Sequence, residues 1–181
     1  DTGAMYRTMA LHFLRKGIDP ADEASIAEAC RDVDVTIRYE DGAQQVILNR
    51  ENVSDLIRTE EVGSMASATS VYMPVREKLV ELQQELARKT NVIMDGRDIG
   101  TCVLPDAPAK IYLTASVDVR AKRRYGELVE KGVECDLESI AEDIKEWDQR
   151  DMNREHSLLK QGEDAVLRDS SLITIRQVAD A

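Results

Sequence analysis

Apolar residues recur every three or four positions along much of this chain, which predicts several amphipathic helices. Val75, Leu79, Leu82 and Leu86 form the clearest apolar stripe, on a long helix that has Pro74 near its start. Further helices are predicted over residues 4–15, where Gly17 marks the end, and over 117–130, where Gly132 does so. Others begin at Asp19-Pro20, at 59–61 and at 175, the last running to 181. One more begins at Leu137, with Ile140, Ile144 and Trp147 on its inner face.

Short apolar or alternating runs between these helices predict strands. Residues 33–39 alternate, residues 40–42 form a turn and residues 46–48 return, which predicts a hairpin that a third piece around 52–57 extends. Buried strands are predicted at 92–94, 110–113 and 165–167. Strands that alternate with helices predict an α/β fold, with a parallel sheet flanked by helices and a small antiparallel insert.

The composition narrows the possible functions. The 181 residues carry a net charge of -11, which argues against a nucleic-acid-binding surface but permits a small anion held by a few arginines. The three cysteines have neither metal-ligand nor disulfide spacing, which predicts a reducing, cytoplasmic environment. We also expect no membrane association, because apolar runs are shorter than the roughly 20 residues of a membrane span.

Polar and flexible residues crowd the loop that follows the predicted strand at 92–94. Asp95, Arg97 and Asp98 stand among Gly96, Gly100 and Thr101. In open α/β sheets ligands bind beyond the carboxyl ends of the strands, so this loop is a candidate site for a polar ligand. The alternative is a turn that uses Asp and Gly for backbone reasons and a surface Arg–Asp pair of little energetic value.

Five motifs in order resemble the bacterial cytidylate kinases. They are Asp-Thr-Gly-Ala-Met-Tyr-Arg at 1–7, Asp-Gly-Arg-Asp-Ile-Gly-Thr at 95–101, Pro-Asp-Ala-Pro-Ala-Lys-Ile-Tyr-Leu at 105–113, Asp-Met-Asn-Arg at 151–154 and Glu-Asp-Ala-Val-Leu-Arg-Asp at 163–169. The resemblance implies a P-loop nucleoside monophosphate kinase fold, with a five-stranded parallel sheet and a helical lid. It implies a single kinase domain over 1–181, with a substrate-binding insert at 18–70 and the lid at 132–157.

The resemblance implies that arginines surround the substrate phosphate. Arg7, Arg97 and Arg154 match the family's positions, with Arg97 and Arg154 as catalytic residues. Arginine suits phosphoryl transfer because it stays charged and grips phosphate oxygens in a forked geometry. Taken alone, Arg7 and Arg154 would each be interpreted as exposed helix arginines.

The same resemblance implies how the nucleoside is chosen. Asp98 would accept a hydrogen bond from the cytosine amino group and repel the uracil carbonyl, while Ser67 and Arg76 complete the pocket. Asp151 would contact the sugar hydroxyls. Thr2 and Tyr6 are further candidate substrate contacts, although Tyr6 is equally plausible as a core residue.

Two arginines are candidates for the ATP side. Arg120 and Arg124 lie one helical turn apart near the expected entrance to the lid, although a solvated basic face is the alternative. Phosphoryl transfer from ATP also implies Mg²⁺. We expect no protein-only metal cage, and only Asp95 is a candidate to reach the ion, through water.

The sequence departs from the family at two places. None of the nine glycines belongs to the phosphate-binding pattern G-x-x-x-x-G-K-[ST], so we expect about 30 further residues upstream, judged by the size of a βαβ unit. Activity would require those residues. Trp147 stands where the family usually has arginine, and Arg150, on the same helix face, is a candidate replacement in substrate binding.

The expected activity is phosphoryl transfer from ATP to CMP or dCMP in pyrimidine nucleotide metabolism, by a cytoplasmic monomer. One alternative is a kinase of the same fold that prefers UMP or AMP. The other is a non-catalytic nucleotide-binding remnant, if the phosphate loop is truly missing.

Overall fold

The computed structural model describes residues 1–40, 42–152 and 161–180, except for the side chains of Arg150 and Asp151. Predictions for Asp41, Ala181 and lid residues 153–157 lie outside this part of the chain. The chain forms two compact units: unit 1 is Asp1–Gly96 and unit 2 is Arg97–Ala181.

Unit 1 contains four helices and an antiparallel sheet of three strands. Its elements are α1 (Thr2–Arg15), α2 (Glu23–Ala29), β1 (Val35–Glu40), β2 (Ala43–Leu48), β3 (Glu51–Asn52), a 3₁₀ helix (Leu56–Arg58), α3 (Glu60–Thr69) and α4 (Met73–Lys89). Helix α1 is central because its Met9, Ala10 and Phe13 are fully buried in the core, where residues from every other helix and from β1 and β2 join them. The predicted helix over 4–15 is confirmed. Asp1 caps its start and Gly17 follows its end with a φ of +65°.

The predicted hairpin is confirmed by the pairing of β1 with β2, from Val35 opposite Leu48 to Glu40 opposite Ala43. Gly42 has a φ of +77° in the turn, a conformation that glycine adopts without steric cost. The third piece is shorter than predicted: β3 has two residues, and the chain then turns into the 3₁₀ helix. The helix predicted from Asp19-Pro20 is also shorter, because Asp22 caps α2 and the chain at Pro20 is still in a turn.

Helix α4 carries the predicted apolar stripe together with a second set of buried positions. Val75 and Leu79 are buried as expected, but Arg76 and Gln83 are only 5% and 1% exposed. Arg76, Leu79 and Gln83 are spaced by three and four residues, so they share a helix face. Unit 1 therefore buries a guanidinium and an amide inside a largely apolar core.

The strand predicted at residues 92–94 is wrong. These residues adopt no regular secondary structure, and Ile93 is 101% exposed. A β-strand depends on hydrogen bonds to a neighbouring strand, and no described residue pairs with this run. The apolar composition alone therefore does not make it a strand here.

Unit 2 contains a parallel pair of strands and three helices. They are β4 (Ile111–Thr114), α5 (Val117–Glu130), α6 (Leu137–Met152), β5 (Val166–Asp169) and α7 (Ile175–Ala179). Strands β4 and β5 pair in parallel, from Ile111 opposite Val166 to Thr114 opposite Asp169. The α/β class with a parallel sheet is therefore confirmed. Of the five strands expected for that sheet, the described residues form these two.

Helices α5 and α6 pack against each other and follow the predicted pattern closely. Ser116 caps the start of α5, and Gly132, in the turn that follows the end of α5, has a φ of +71°. Ile144 is buried in α6 as predicted, but Trp147 is 48% exposed, so its placement on the inner face is wrong. The next residue, Asp148, makes the contact with α5 by accepting a hydrogen bond from Arg120. In the described part of the chain no helix has the length and apolarity needed to cross a membrane.

Candidate active site

The first turn of α1 gathers the polar groups of the first motif. The Asp1 carboxylate accepts hydrogen bonds from the Ala4 amide, through Oδ1 at 3.1 Å, and from Nη2 of Arg7, through Oδ2 at 2.8 Å. The amide and hydroxyl of Thr2 both donate to the Asp95 carbonyl, at 3.1 and 2.7 Å. The motif at 1–7 is thereby joined to the start of the motif at 95–101.

Gly3 permits the close approach between Asp1 and Arg7. A Cβ atom at position 3 would lie 3.0 Å from Asp1 Oδ1 and 3.3 Å from Arg7 Nη1. A side chain there would displace one of the two charged groups. Glycine therefore leaves room for the ion pair in its present geometry, and a larger residue would shift the flexible end of Asp1 or Arg7.

The guanidinium of Arg7 is partly desolvated and has charges of both signs around it. Burial lowers its pKa first, the charge of Arg58 lowers it further, and the nearby Asp95 carboxylate acts in the opposite direction. Its Nε is buried and makes no hydrogen bond to any described residue. Arg7 thus keeps hydrogen-bonding capacity and positive charge for a ligand.

Three further predicted residues meet beside α1. The Arg76 guanidinium carbon lies 5.9 Å from the centroid of the Tyr6 ring, at the distance of a cation–π contact. Nη1 of Arg76 donates to the Ser70 carbonyl at 3.2 Å, and the Ser70 hydroxyl donates to the carbonyl of Ser67 at 3.1 Å. In unit 1 a chain of contacts therefore links Tyr6, Arg76 and Ser67. Tyr6 directly precedes Arg7 in the sequence.

Asp98 and Arg97 begin unit 2 in contrasting environments. Asp98 is 7% exposed, and its carbonyl accepts hydrogen bonds from the amides of Cys102 and Val103, at 2.9 and 3.2 Å. Those bonds close a π-helical turn over Ile99–Val103. Arg97 is exposed. The loop therefore holds a shielded carboxylate directly after a guanidinium that water can reach.

Lys110 holds this loop near the start of the parallel sheet. Its Nζ donates to Asp164 Oδ2 at 2.6 Å and to the Pro105 carbonyl, and the Lys110 side chain is 8% exposed. Because Asp164 is paired with this lysine, the pKa of its carboxyl is lowered. A Cβ atom at Gly100 would lie 3.3 Å from the lysine side chain, so the loop packs closely on it.

The two candidate arginines for the ATP side both have carboxylate partners in unit 2. Arg120 forms a two-pronged pair with Asp148, at 2.9 and 2.5 Å, and its Nε donates to the Ala115 carbonyl at 3.0 Å. This pair joins α5 to α6 and raises the pKa of Arg120. Arg124 pairs with Glu127 on its own helix at 3.3 Å.

Three of the remaining predicted residues lie at or beyond the last turn of α6, and the fourth, Asp95, follows the run at 92–94. The backbone of Arg150 and Asp151 is helical, and Arg154 lies outside the described residues. Asp95 has a carboxylate that is 79% exposed. Within the described ranges no group of three His, Cys, Asp or Glu side chains could hold a metal ion.

Four residues that shape these sites were missed from the sequence. Gly3 and Lys110 lie inside the motifs at 1–7 and 105–113, so the motifs themselves were an available signal. Asp148 lies four residues after Ile144 on α6, and no pattern pairs it with Arg120. Arg58 follows the buried Ile57, and an isolated arginine in a short turn gives no sequence signal.

Comparisons with known proteins identify the family. The family model for cytidylate kinase matches residues 1–181. A cytidylate kinase from Caldicellulosiruptor bescii is 48% identical over 178 residues, which cover 98% of this chain and 79% of the relative. Those from Geobacter sp. strain M21 and Bacillus subtilis are 46% and 43% identical, each over 99% of this chain and over 77% and 80% of the relative. A family match along the whole chain, with relatives at this level of identity, shows that the chain belongs to the cytidylate kinase family.

Proposed function

We propose that this chain binds CMP or dCMP and phosphorylates it with ATP. The observation that carries the proposal is the family match over residues 1–181. The chain is a kinase of that family, and phosphoryl transfer from ATP to CMP is the reaction of a cytidylate kinase. A kinase specific for UMP or AMP, or a non-catalytic remnant, is not favoured by these comparisons.

In the proposed site Arg7, Arg97 and Arg154 bind the substrate phosphate. The transferred group and the accepting phosphate bring several negative oxygens together, so catalysis depends on positioning and charge neutralisation. The Nε of Arg7, which makes no hydrogen bond to the described residues, supports its role. We assign Arg97 and Arg154 as the catalytic pair, which stabilises the charge that develops during transfer.

Asp98 is proposed to select cytosine over uracil. A shielded carboxylate accepts a hydrogen bond from an amino group and repels a carbonyl oxygen more strongly than an exposed one does. The low exposure of Asp98 supports this role. Ser67 and Arg76 complete the base pocket, and the contact of Arg76 with the Tyr6 ring supports a packing role for Tyr6 beside the substrate.

The remaining substrate contacts are proposed at the sugar and at the lid. Asp151 binds the sugar hydroxyls, and Arg150 supplies the positive charge that Trp147 does not. Thr2 contacts the substrate only by exchanging its hydrogen bond with the Asp95 carbonyl.

On the donor side, Arg120 and Arg124 are proposed to reach ATP. Arg120 would have to exchange its bonds with Asp148 for phosphate oxygens. Asp95, whose carboxylate is 79% exposed, would be the residue that holds the magnesium ion of Mg-ATP through water. When bound, Mg²⁺ would neutralise the phosphate oxygens during transfer.

The wider assignments follow the family. We propose a P-loop nucleoside monophosphate kinase fold in one kinase domain, with a substrate-binding insert at 18–70 and a lid at 132–157. We also propose a monomer that acts in the cytoplasm. The free thiols of Cys30, Cys102 and Cys135 are compatible with that location.

A steady-state assay of the purified protein tests the proposed specificity. Nucleoside diphosphate formation is measured with Mg-ATP and each of CMP, dCMP, UMP and AMP, with reactions lacking ATP as the control. We expect kcat/KM for CMP and dCMP to exceed that for UMP by at least about tenfold, the value of one charged hydrogen bond. A preference for UMP would contradict the role of Asp98.

A further inference from the structure

Asp98 is followed by a backbone turn of an unusual kind. Its carbonyl accepts a hydrogen bond from the Val103 amide at 3.2 Å. The Ile99 carbonyl accepts one from the Leu104 amide at 2.7 Å. Both bonds span five residues and give the π-helical turn Ile99–Val103. Turns of this kind are rare, occur mostly singly and are frequent at functional sites. A single turn has few bonds of its own, so its geometry depends on the groups that pack around it.

The Lys110 side chain packs along this turn. A Cβ atom at Gly100 would lie 3.3 Å from Cδ and 3.5 Å from Cγ of Lys110, so the aliphatic part of the lysine runs against the loop backbone. At the end of the side chain, Nζ donates to the Pro105 carbonyl and to Asp164 Oδ2, the latter at 2.6 Å. The lysine side chain is 8% exposed. Lys110 therefore contacts the loop in the turn itself and again at Pro105.

The same lysine joins the loop to both strands of unit 2. Lys110 directly precedes β4, and its carbonyl accepts a hydrogen bond at 2.9 Å from the amide of Val166, the first residue of β5. Asp164 lies two residues before β5. A Cβ atom at Gly162 would lie 3.7 Å from Thr101 Cγ2, so the segment before β5 also approaches the turn. The position of the loop is thus tied to the start of the parallel sheet.

The ammonium group of Lys110 can be removed without leaving a buried charge behind. Its partner Asp164 has a carboxylate that is 65% exposed, and Pro105 is exposed as well, so water can solvate both. The hydrogen bonds between β4 and β5 do not involve the lysine side chain. Loss of the ammonium should therefore shift the loop and leave unit 2 folded, in contrast to the loss of one member of a fully buried pair.

We infer that Lys110 is a positioning residue for base selection, which acts by holding the loop that carries Asp98. A hydrogen bond to an amino group, and repulsion of a carbonyl oxygen in its place, both depend on the distance and direction of the carboxylate. A small displacement of the loop would weaken both effects. Lys110 has this role only if Asp98 selects the base, as the proposed function holds.

Equilibrium binding of CMP and UMP measures base selection directly. Calorimetry gives both dissociation constants for the wild type, Lys110→Met, Asp98→Asn and the double variant. The UMP-to-CMP ratio of these constants is the readout, because a loss of folded protein affects both ligands alike. Lys89→Met is the matched control, since Lys89 also pairs with a carboxylate, Glu85 at 2.5 Å, but lies in unit 1. Urea unfolding without ligand checks the fold of each variant.

For Lys110→Met we expect the UMP-to-CMP ratio to fall about threefold or more, because the Asp98 carboxylate is displaced. Asp164→Ala should lower the ratio in the same direction by less, because Lys110 keeps its bond to Pro105. In the Asp98→Asn background Lys110→Met should change the ratio by less than about twofold, since both substitutions act on one contact. Lys89→Met should leave the ratio unchanged.

Three results would contradict this role of Lys110. If Asp98→Asn lowers the ratio but Lys110→Met and Asp164→Ala do not, the lysine does not position the carboxylate. If Lys110→Met lowers the ratio equally with and without Asp98→Asn, it acts on another group. If Asp98→Asn itself leaves the ratio unchanged, the proposed role of Asp98 fails, and the role of Lys110 fails with it. Should Lys110→Met unfold, Asp164→Ala with and without Asp98→Asn decides by the same criteria.

Discussion

The two units stabilise their functional side chains by different means. Unit 1 surrounds α1 with a continuous apolar core in which Met9, Ala10 and Phe13 are completely buried. In unit 2 the strand residues Ile111 and Leu113 are 69% and 60% exposed, and polar bonds join its elements alongside a few buried apolar residues such as Ala121 and Ile144.

The polar connections of unit 2 run from helix to helix and from helix to sheet. Arg120 binds Asp148 across α5 and α6, and Arg123 donates to the Ser170 carbonyl at 2.7 Å, beyond the end of β5. The stabilisation from such bonds depends on ionic strength and geometry, whereas the stabilisation from an apolar core depends on the area that it buries. We therefore expect the α1 groups to be held more firmly than those on α6.

The largest difference in the free energy of unfolding should come from substituting one apolar residue in each unit. Phe13→Ala should lower the free energy of unfolding of unit 1 by about 3–5 kcal/mol, because it removes a buried ring and leaves a cavity. Leu113→Ala should cost less than about 1 kcal/mol, because most of that side chain is already in water. Urea unfolding of the 181-residue chain measures both, and equal losses would refute the contrast.

A smaller effect is expected at the Arg120–Asp148 pair. Asp148→Asn should loosen α6 from α5 and lower the free energy of unfolding of unit 2 by about 1–2 kcal/mol, since Asp148 is 13% exposed and Arg120 31%. Added salt should reduce the difference between variant and wild type.

The matched control for that pair is Glu127→Gln. It breaks the exposed pair with Arg124 and should cost no more than about 0.5 kcal/mol. If both substitutions have the same small effect, the Arg120–Asp148 pair does not hold α6.

The smallest effect is a pH dependence in unit 1. Burial lowers the pKa of His12, the charges of Lys16 and Arg15 lower it further, and a hydrogen bond to the Ala29 carbonyl opposes them. The unfolded chain therefore takes up a proton first, so stability is full above pH about 6.5 and is lost as the pH falls. The loss cannot exceed about 1.4 kcal/mol per pH unit.

Comparing His12→Gln with the wild type isolates this effect. Glutamine keeps a donor for the Ala29 carbonyl but does not titrate. Between pH 7 and 5 the variant should lose less stability than the wild type, as measured by urea unfolding at each pH. If the free energy of unfolding falls equally with pH in the variant and the wild type, His12 is not the titrating group.

Local sequence signals predicted the elements that depend on local interactions. The bounds of α1, α5 and the β1–β2 hairpin follow from capping residues, helical periodicity and the turn at Gly42. The strand at 92–94 was wrong because pairing is a non-local property, and an apolar run does not specify its neighbour. Trp147 was misplaced because periodicity alone puts it on the face where Asp148 is in fact bonded.

The motifs named candidate site residues that the periodicity alone does not single out. They named Thr2, Tyr6 and Arg7, which lie on one helix, and the predicted Arg76 lies against the Tyr6 ring. The burial of Arg76 and Gln83 was not predictable, since polar residues do not count toward an apolar stripe.

The central claim is that the start of α1 binds the substrate phosphate. The measurement that tests it most directly is kcat/KM for CMP in Arg7→Gln, with Arg15→Gln on the same helix as the control. The Arg15 guanidinium already donates two hydrogen bonds to the Glu51 carboxylate, at 2.6 and 2.9 Å. We expect Arg7→Gln to lower kcat/KM about 100-fold, as two charged hydrogen bonds are lost, and Arg15→Gln to leave it unchanged. A value for Arg7→Gln within about threefold of the wild type would contradict the account.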